Sequence, residues 1–326
     1  MEAHRYDVVV VGGGAAGLSA ALVLGRARRA VAVIDAGEPR NAPAAHMQGF
    51  LSRDGMPPSE FLAQARREVT AYGVDVLEDR VLGIEPGFTA RLATGRAVEA
   101  RRVLVASGVS DELPDIPGVR ERWGRDLLHC PYCHGWEVGD QALGVLGTLR
   151  GSVDHAHLVR QWSDDVVFFA HTYELTAAER DGLAARGIGV VDGMVARLVI
   201  DGDRLTGVEM ADGQVVARTA VFVRPGNVPH ADGLLAGLGC ELDEAGFPTV
   251  DRTGLTSVPG VWAAGNVADP RAQVITSAGA ASAAAIAINA DLVREDVRRA
   301  AAVPAPGLRD QAGDSGSVSS GDVSTK

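Results

Sequence analysis

Lysine is almost absent from this chain: of its 31 basic side chains, all but Lys326 are arginine. Set against 42 carboxylates they leave a net charge of −11 and no basic patch, which excludes a nucleic-acid footprint. Cysteine is scarce as well, three in 326 residues. That excludes a disulfide-stapled secreted fold, and a four-ligand zinc site lacks its second pair because Cys240 stands alone. Long apolar runs are missing too. Residues 8–11 run into glycines before they could form a signal-peptide core, and residues 278–290 are small and too few to span a bilayer. A cytoplasmic protein without membrane contact or bound metal is expected. What is plentiful is glycine, 40 residues, and a hydrophobic fraction of 46%, in a chain long enough for two domains.

Two of the three cysteines lie in His129-Cys130-Pro131-Tyr132-Cys133-His134-Gly135. A Cys-x-x-Cys pair among βαβ units reads as a redox motif, whose thiolate chemistry needs an accessible sulfur, a resolving sulfur and a base. His134, next to Cys133, is the candidate base, since an unperturbed imidazole titrates near about 6.5. Cys-x-x-Cys-His is also the attachment signature of c-type haem, but that chemistry goes with export. A purely structural bridge is disfavoured in a reducing compartment.

Residues 6–11 read as a buried parallel strand, followed by Gly12-Gly13-Gly14-Ala15-Ala16-Gly17 and a helix to about Arg28. The next strand, 30–34, ends on Asp35, 18 residues beyond Gly17. This is the dinucleotide fingerprint in full context: Gly12 makes the turn, Gly14 admits a pyrophosphate, Gly17 allows close packing, and Asp35 accepts from a ribose. A strand at 102–106 leads to Ala106-Ser107-Gly108. Residues 260–266 read as strand and turn before a helix from Gln273 to about Arg298. Segments so far apart imply a discontinuous domain around a long ligand, and FAD fits that better than NAD.

Between them a second α/β unit pairs a strand at 142–146 with Gly147-Thr148-Leu149-Arg150-Gly151-Ser152, a helix to about Trp162 and a strand at 166–170. Leu149 takes the second glycine position, and His171-Thr172-Tyr173-Glu174 supplies no arginine cluster for a 2′-phosphate. The residues that would read NADPH are missing. His155 and His157, two apart on a helix, are expected on a solvated face, and Cys240 as a buried small residue.

These motifs in this order resemble the low-molecular-weight thioredoxin reductase family over residues 5 to 300. His134 and Asn266 stand where that family usually has aspartate. Cys-x-x-Cys-His-Gly with a degraded NADPH site is similar to a subgroup, the FAD-dependent dithiol oxidases of the gliotoxin and holomycin type. The resemblance implies an α/β fold of two Rossmann-like domains: a discontinuous FAD domain at 1–116 and 247–304, an inserted NAD(P)H-like domain at 117–246 carrying the cysteines, and a disordered tail at 305–326. It implies Cys130, Cys133 and His134 as catalytic residues, with Cys133 facing the flavin. The expected FAD contacts are Gly12, Gly14, Ala15, Ala16, Gly17, Asp35, Ala36, Arg40 and Gln48, with Ala106, Ser107 and Gly108. Gly265, Asn266, Gln273 and Val274 complete them, Asn266 hydrogen-bonding the ribityl-phosphate region. The partners implied are a small-molecule dithiol, O2 and a second copy in a homodimer. An NADPH-dependent reductase running the same disulfide in reverse is the alternative, and a flavin-binding protein with a silent site is a third reading.

Overall fold

A computed structural model describes residues 4–230 and 233–302. The described chain divides into two units between residues 289 and 290. Of the second, the described part is helical.

The first unit opens with β1 (His4–Val11), α1 (Ala15–Arg26), β2 (Val31–Asp35), α2 (Pro58–Thr70) and β3 (Asp75–Glu78). An antiparallel pair, β4 (Val81–Glu85) and β5 (Thr89–Leu92), precedes β6 (Ala97–Val105). Among the described residues these strands form a seven-stranded sheet in the order β3-β2-β1-β6-β5-β4, completed by β17 (Val261–Ala263). The outer edge of β6 is divided. Its first half pairs antiparallel with β5, and its last three residues pair parallel with β17, Val103 opposite Val261. β1, β2, β6 and β17 run parallel, so their carboxyl ends share one edge of the sheet, where open α/β folds place ligands. Val8, Val9 and Val10 are fully buried, as a parallel strand covered on both faces requires.

A two-stranded ribbon, β7 (Val109–Glu112) with β16 (Gly226–Pro229), marks the chain's passage to a second sheet and back. After α3 (Val119–Arg122) come β8 (Leu127–Leu128), the one-turn α4 (Pro131–His134), β9 (Leu143–Leu146), α5 (Ser152–Val159), β10 (Val166–Phe169), α6 (Ala177–Ala185) and β11 (Gly189–Val191). A meander, β12 (Val195–Asp201), β13 (Arg204–Met210) and β14 (Val215–Ala217), leads to β15 (Ala220–Val223). The second sheet has the order β11-β10-β9-β15-β8. Its side chains alternate between two cores. Phe168 and Phe222 point toward α5 and α6, while Phe169, Val221 and Val223 point toward the meander.

The last part of the expected insert, 117–246, packs against the first sheet. Leu234 and Leu235, on α7 (Leu234–Gly237), and Cys240 pack into the core of the first sheet with Val261 and Ala263. Apolar burial therefore returns the chain to the first sheet before residue 240. The final helix α8 (Val274–Ala302) also corrects an expectation. Residues 278–290 are part of a 29-residue helix that is long and apolar enough, by length and composition, to cross a membrane. Length therefore excludes nothing. Within the first unit, however, Ala281, Ala284, Ala285 and Ile288 are fully buried at the spacing of a core-facing stripe. The tail expected to be disordered, 305–326, lies outside the described residues.

Candidate active site

The three strand ends carry the site. Gly12 N–H donates to the Ile34 carbonyl, Ala106 N–H to Val11, and Ala264 N–H to Val105, so β1, β6 and β17 finish level with one another. At Gly12 the backbone takes φ +104°, the left-handed side of the map, and an added Cβ would lie 2.4 Å from the Ala106 carbonyl oxygen. At Gly17 an added Cβ would lie 1.9 Å from the Gly12 carbonyl oxygen, so only glycine lets α1 sit this close to the loop. Gly14 differs: nothing lies within 4 Å of its absent side chain. The space beyond it opens into a cavity of about 640 Å³, the size of a site for a large cofactor.

Cys130 and Cys133 stand on the wall of the same cavity, joined as a disulfide with Cα atoms 5.2 Å apart. Local sequence builds the bridge. Cys130 is the extended N-cap of α4, Pro131 starts the turn, and the N–H groups of Cys133 and His134 both donate to the Cys130 carbonyl at 3.1 Å. Gly135 closes the turn where any Cβ would strike Pro131 and the ring of Trp162. Tyr132 meets Trp162 edge-on, at 5.5 Å between ring centroids. Trp136, just past the motif, is 86% exposed.

The cavity gathers most of the expected residues. Gly12, Gly14, Ala15, Ala16 and Asp35 line one part of it, Ala106, Ser107 and Gly108 another, and Asn266, Gln273 and Val274 a third. Arg40, Gln48 and His134 line it too, whereas Gly17, Ala36 and Gly265 do not. Gly17 and Gly265 act behind the wall instead: a Cβ on Gly265 would press on Ala16 at 2.8 Å.

Two polar side chains of the wall are already engaged within the protein. The guanidinium of Arg40 does not stand free for a phosphate. It closes as a fork on Asp111, at 2.8 and 2.6 Å, and reaches the Pro270 carbonyl. The amide nitrogen of Asn266 donates to the carbonyls of Asp269, Pro270 and Ala272, so it holds the approach to α8. Asp35 keeps its place at the end of β2 and pairs with Arg66. Gln48 donates to Glu137 at 2.9 Å, tying the loop after β2 to the segment following the cysteines.

Sequence reasoning missed two histidines. His129 precedes Cys130 in the motif itself and lines the cavity beside His134. His155 was expected on a solvated face; it is 7% exposed and its ring nitrogen lies 2.9 Å from the His129 carbonyl. Burial is the main cause pushing the imidazoles of His129 and His155 down to about 4, aided at His129 by Arg40 and at His155 by His129. Burial also lowers His134, against the pull of Glu137. Burial thus favours the neutral form of all three rings.

The unfolded chain titrates its histidines near about 6.5, so between that pH and about 4 it binds protons that the folded state refuses. Stability is therefore complete above pH 6.5 and falls as the pH drops toward 4, by up to about 3 kcal/mol for each ring at about 4. Urea titrations at pH 7 and pH 5 measure this; equal unfolding free energies would contradict the burial of both rings.

The nucleotide-like loop of the second sheet is turned in on itself. The Ser152 hydroxyl accepts from the N–H groups of Thr148 and Leu149 and donates to the Leu149 carbonyl. Arg224 donates to the Gly151 carbonyl beside them. A groove of about 340 Å³ runs along the flank of α5 and α6, lined by Arg150, Asp154, Tyr173 and Glu179 among others.

Comparison with known proteins agrees with this geometry. A family model described as "Pyridine nucleotide-disulphide oxidoreductase" matches residues 6–285. "Thioredoxin reductase sirT" of Leptosphaeria maculans is 31% identical over 314 residues, covering 90% of this chain and 96% of that protein. A "Probable thioredoxin reductase" of Arthroderma benhamiae is 38% identical over 181 residues, 52% of this chain and 45% of that protein, so the match spans under half the relative's length. Among solved structures, HlmI superimposes with a TM-score of 0.89 at 60% identity, covering 92% of this chain and 97% of that one. An oxidoreductase from Agrobacterium tumefaciens gives 0.84 at 36% identity, covering 89% and 99%.

Proposed function

From the premise that this chain belongs to the pyridine nucleotide-disulphide oxidoreductase family, as a thioredoxin reductase-like thiol/disulfide oxidoreductase, we propose that it oxidises a small-molecule dithiol. The observation that carries this reading is the shared cavity: the 130/133 disulfide and the glycine loop of a dinucleotide site open onto one space. The cradle fits FAD, with bare backbone at Gly14, Asp35 at the ribose position and the positive end of α8 at Gln273 and Val274.

In the proposed sequence, His134 takes the proton of the substrate's first thiol on a ring nitrogen. The substrate sulfur attacks Cys130 Sγ, the Cys130–Cys133 bond breaks, and Cys133 leaves as a thiolate. The substrate's second thiol then attacks its own first sulfur, breaking the bond to Cys130, whose departing thiolate takes that thiol's proton. The product departs as a disulfide, and Cys130 is left reduced. FAD, held by the glycine loop, Asp35 and the start of α8, would supply the electron sink for the reduced 130/133 pair, with O2 as the final acceptor and hydrogen peroxide as the product. The flavin domain comprises 1–116 and the return that begins before residue 240, with the cysteines in the insert. A cytoplasmic homodimer is part of the same proposal.

The closed loop at 148–152 supports an oxidase, because amides that would hold a pyrophosphate already serve Ser152. One observation favours the second reading, an NADPH-dependent reductase: the groove beside Arg150 could admit a nucleotide, although Asp154 and Glu179 face a 2′-phosphate with negative charge. Anaerobic mixing separates the two. The dithiol oxidase keeps its flavin absorbance when NADPH is added and loses it with dithiothreitol; rapid bleaching by NADPH would overturn the oxidase reading.

A further inference from the structure

Cys130 hangs from very little sheet. β8 is two residues long, pairing Leu127 with Val221 and Leu128 with Phe222. His129 is the first residue past the ladder, so its carbonyl has no strand partner and must be met from elsewhere. His155, on α5, meets it at 2.9 Å. A carbonyl oxygen only accepts, so Nε2 of His155 carries the proton and Nδ1 carries the lone pair. That Nδ1 is buried and has no hydrogen-bond partner among the described residues.

A hydrocarbon of the same volume would fill this place more easily. The ring packs edge-on against Phe222, at 6.0 Å between centroids, and against the His129 ring at 6.3 Å. Packing alone therefore asks for an apolar side chain, which would leave no nitrogen orphaned. What the imidazole adds is one hydrogen bond, aimed at the peptide unit that joins His129 to Cys130. The same Phe222 that receives His155 also ladders with Leu128, so strand, helix and cysteine turn are fixed to one another at a single point.

We propose that His155 is a positioning residue for the redox disulfide: by holding the His129 carbonyl it fixes the backbone at Cys130 and so sets the equilibrium between the bridged and the dithiol states. The proposal rests on the reading of Cys130 and Cys133 as an exchanging pair. Reduction adds two electrons and two protons, breaks the Cys130–Cys133 bond, and leaves the reductant as its own disulfide. Closing the bridge again depends on how often the two sulfurs meet, which a tethered backbone favours. Untethering Cys130 shifts the balance toward the dithiol.

The test uses the flavin-loaded protein, equilibrated without oxygen in buffers of reduced and oxidised dithiothreitol, with free thiols counted by alkylation and mass spectrometry. His155→Phe keeps the packing and removes the donor. His155→Asn is a second variant whose amide is too short to reach the carbonyl. His155→Gln restores a donor near the position of Nε2. In both Phe and Asn variants the half-reduction point moves about tenfold toward weaker reducing buffers, about 30 mV, while His155→Gln stays within about twofold of the parent. A lowered melting temperature with an unmoved half-reduction point would make His155 a packing residue and overturn the proposal, as would a Gln variant no better than Phe. If the parent's bridge resists dithiothreitol altogether, the exchanging-disulfide reading fails, and this proposal with it.

Discussion

Cys130→Ser abolishes dithiol oxidation, lowering turnover by on the order of a thousandfold or more, the scale seen when a nucleophilic centre is removed. The loss is chemical rather than structural. Cys130 occupies the N-cap of α4, and serine is among the better N-cap residues, so the turn that presents Cys133 survives the exchange. Cofactor content and melting temperature stay near those of the parent. Cys133→Ser is equally inactive, because without the bridge the reduced substrate has no disulfide to attack; given the oxidised, disulfide form of the substrate instead, Cys130 opens it by exchange and gains the mass of a bound substrate. Peroxide release with a model dithiol and intact mass with its disulfide, measured on both variants, check the pair. Turnover surviving in Cys130→Ser would remove the bridge from the reaction.

Gly17→Ala produces protein without flavin and less stable than the parent. The added methyl would sit 1.9 Å from the Gly12 carbonyl oxygen and 3.0 Å from its carbon, both backbone atoms that no rotamer change can move aside. Either α1 tilts away from β1 or the loop shifts, and overpacking of this kind costs about 1–3 kcal/mol. Gly14→Ala is the informative contrast. Its methyl meets nothing in the protein, so the fold keeps its stability while the methyl intrudes on the cofactor's approach. Flavin absorbance per chain and thermal unfolding separate the two. Unchanged flavin content in both would mean that the glycine loop does not cradle the cofactor.

The parts of this molecule with local signals were readable in advance. β1, α1 and β2 follow from a valine run, a glycine motif and a second β-branched run closed by Asp35, and the cysteine turn follows from spacing. β17 and the start of α8 were legible for the same reason, since an apolar strand followed by Gly265 leaves few alternatives. What stayed hidden depends on contacts between distant segments. The fork of Arg40 on Asp111 joins residues 71 apart, and the bond from His155 to His129 joins residues 26 apart. Neither leaves a periodic trace in the sequence. α5, with Asp154, His155 and His157 in eight residues, could bury or expose its histidines equally well by pattern. The return of 234–240 to the first core was concealed because its short helix offers too few apolar positions to declare which sheet it covers.

The divided edge of β6 has a bearing on biosynthesis. Val103 must wait for Val261, 158 residues later (261 − 103), before its outer backbone groups are met. A ribosome adding about 5–20 residues per second needs roughly 8–30 s to deliver that partner. Throughout that interval the nascent chain carries a bare, valine-rich sheet margin, the kind of surface on which neighbouring chains aggregate.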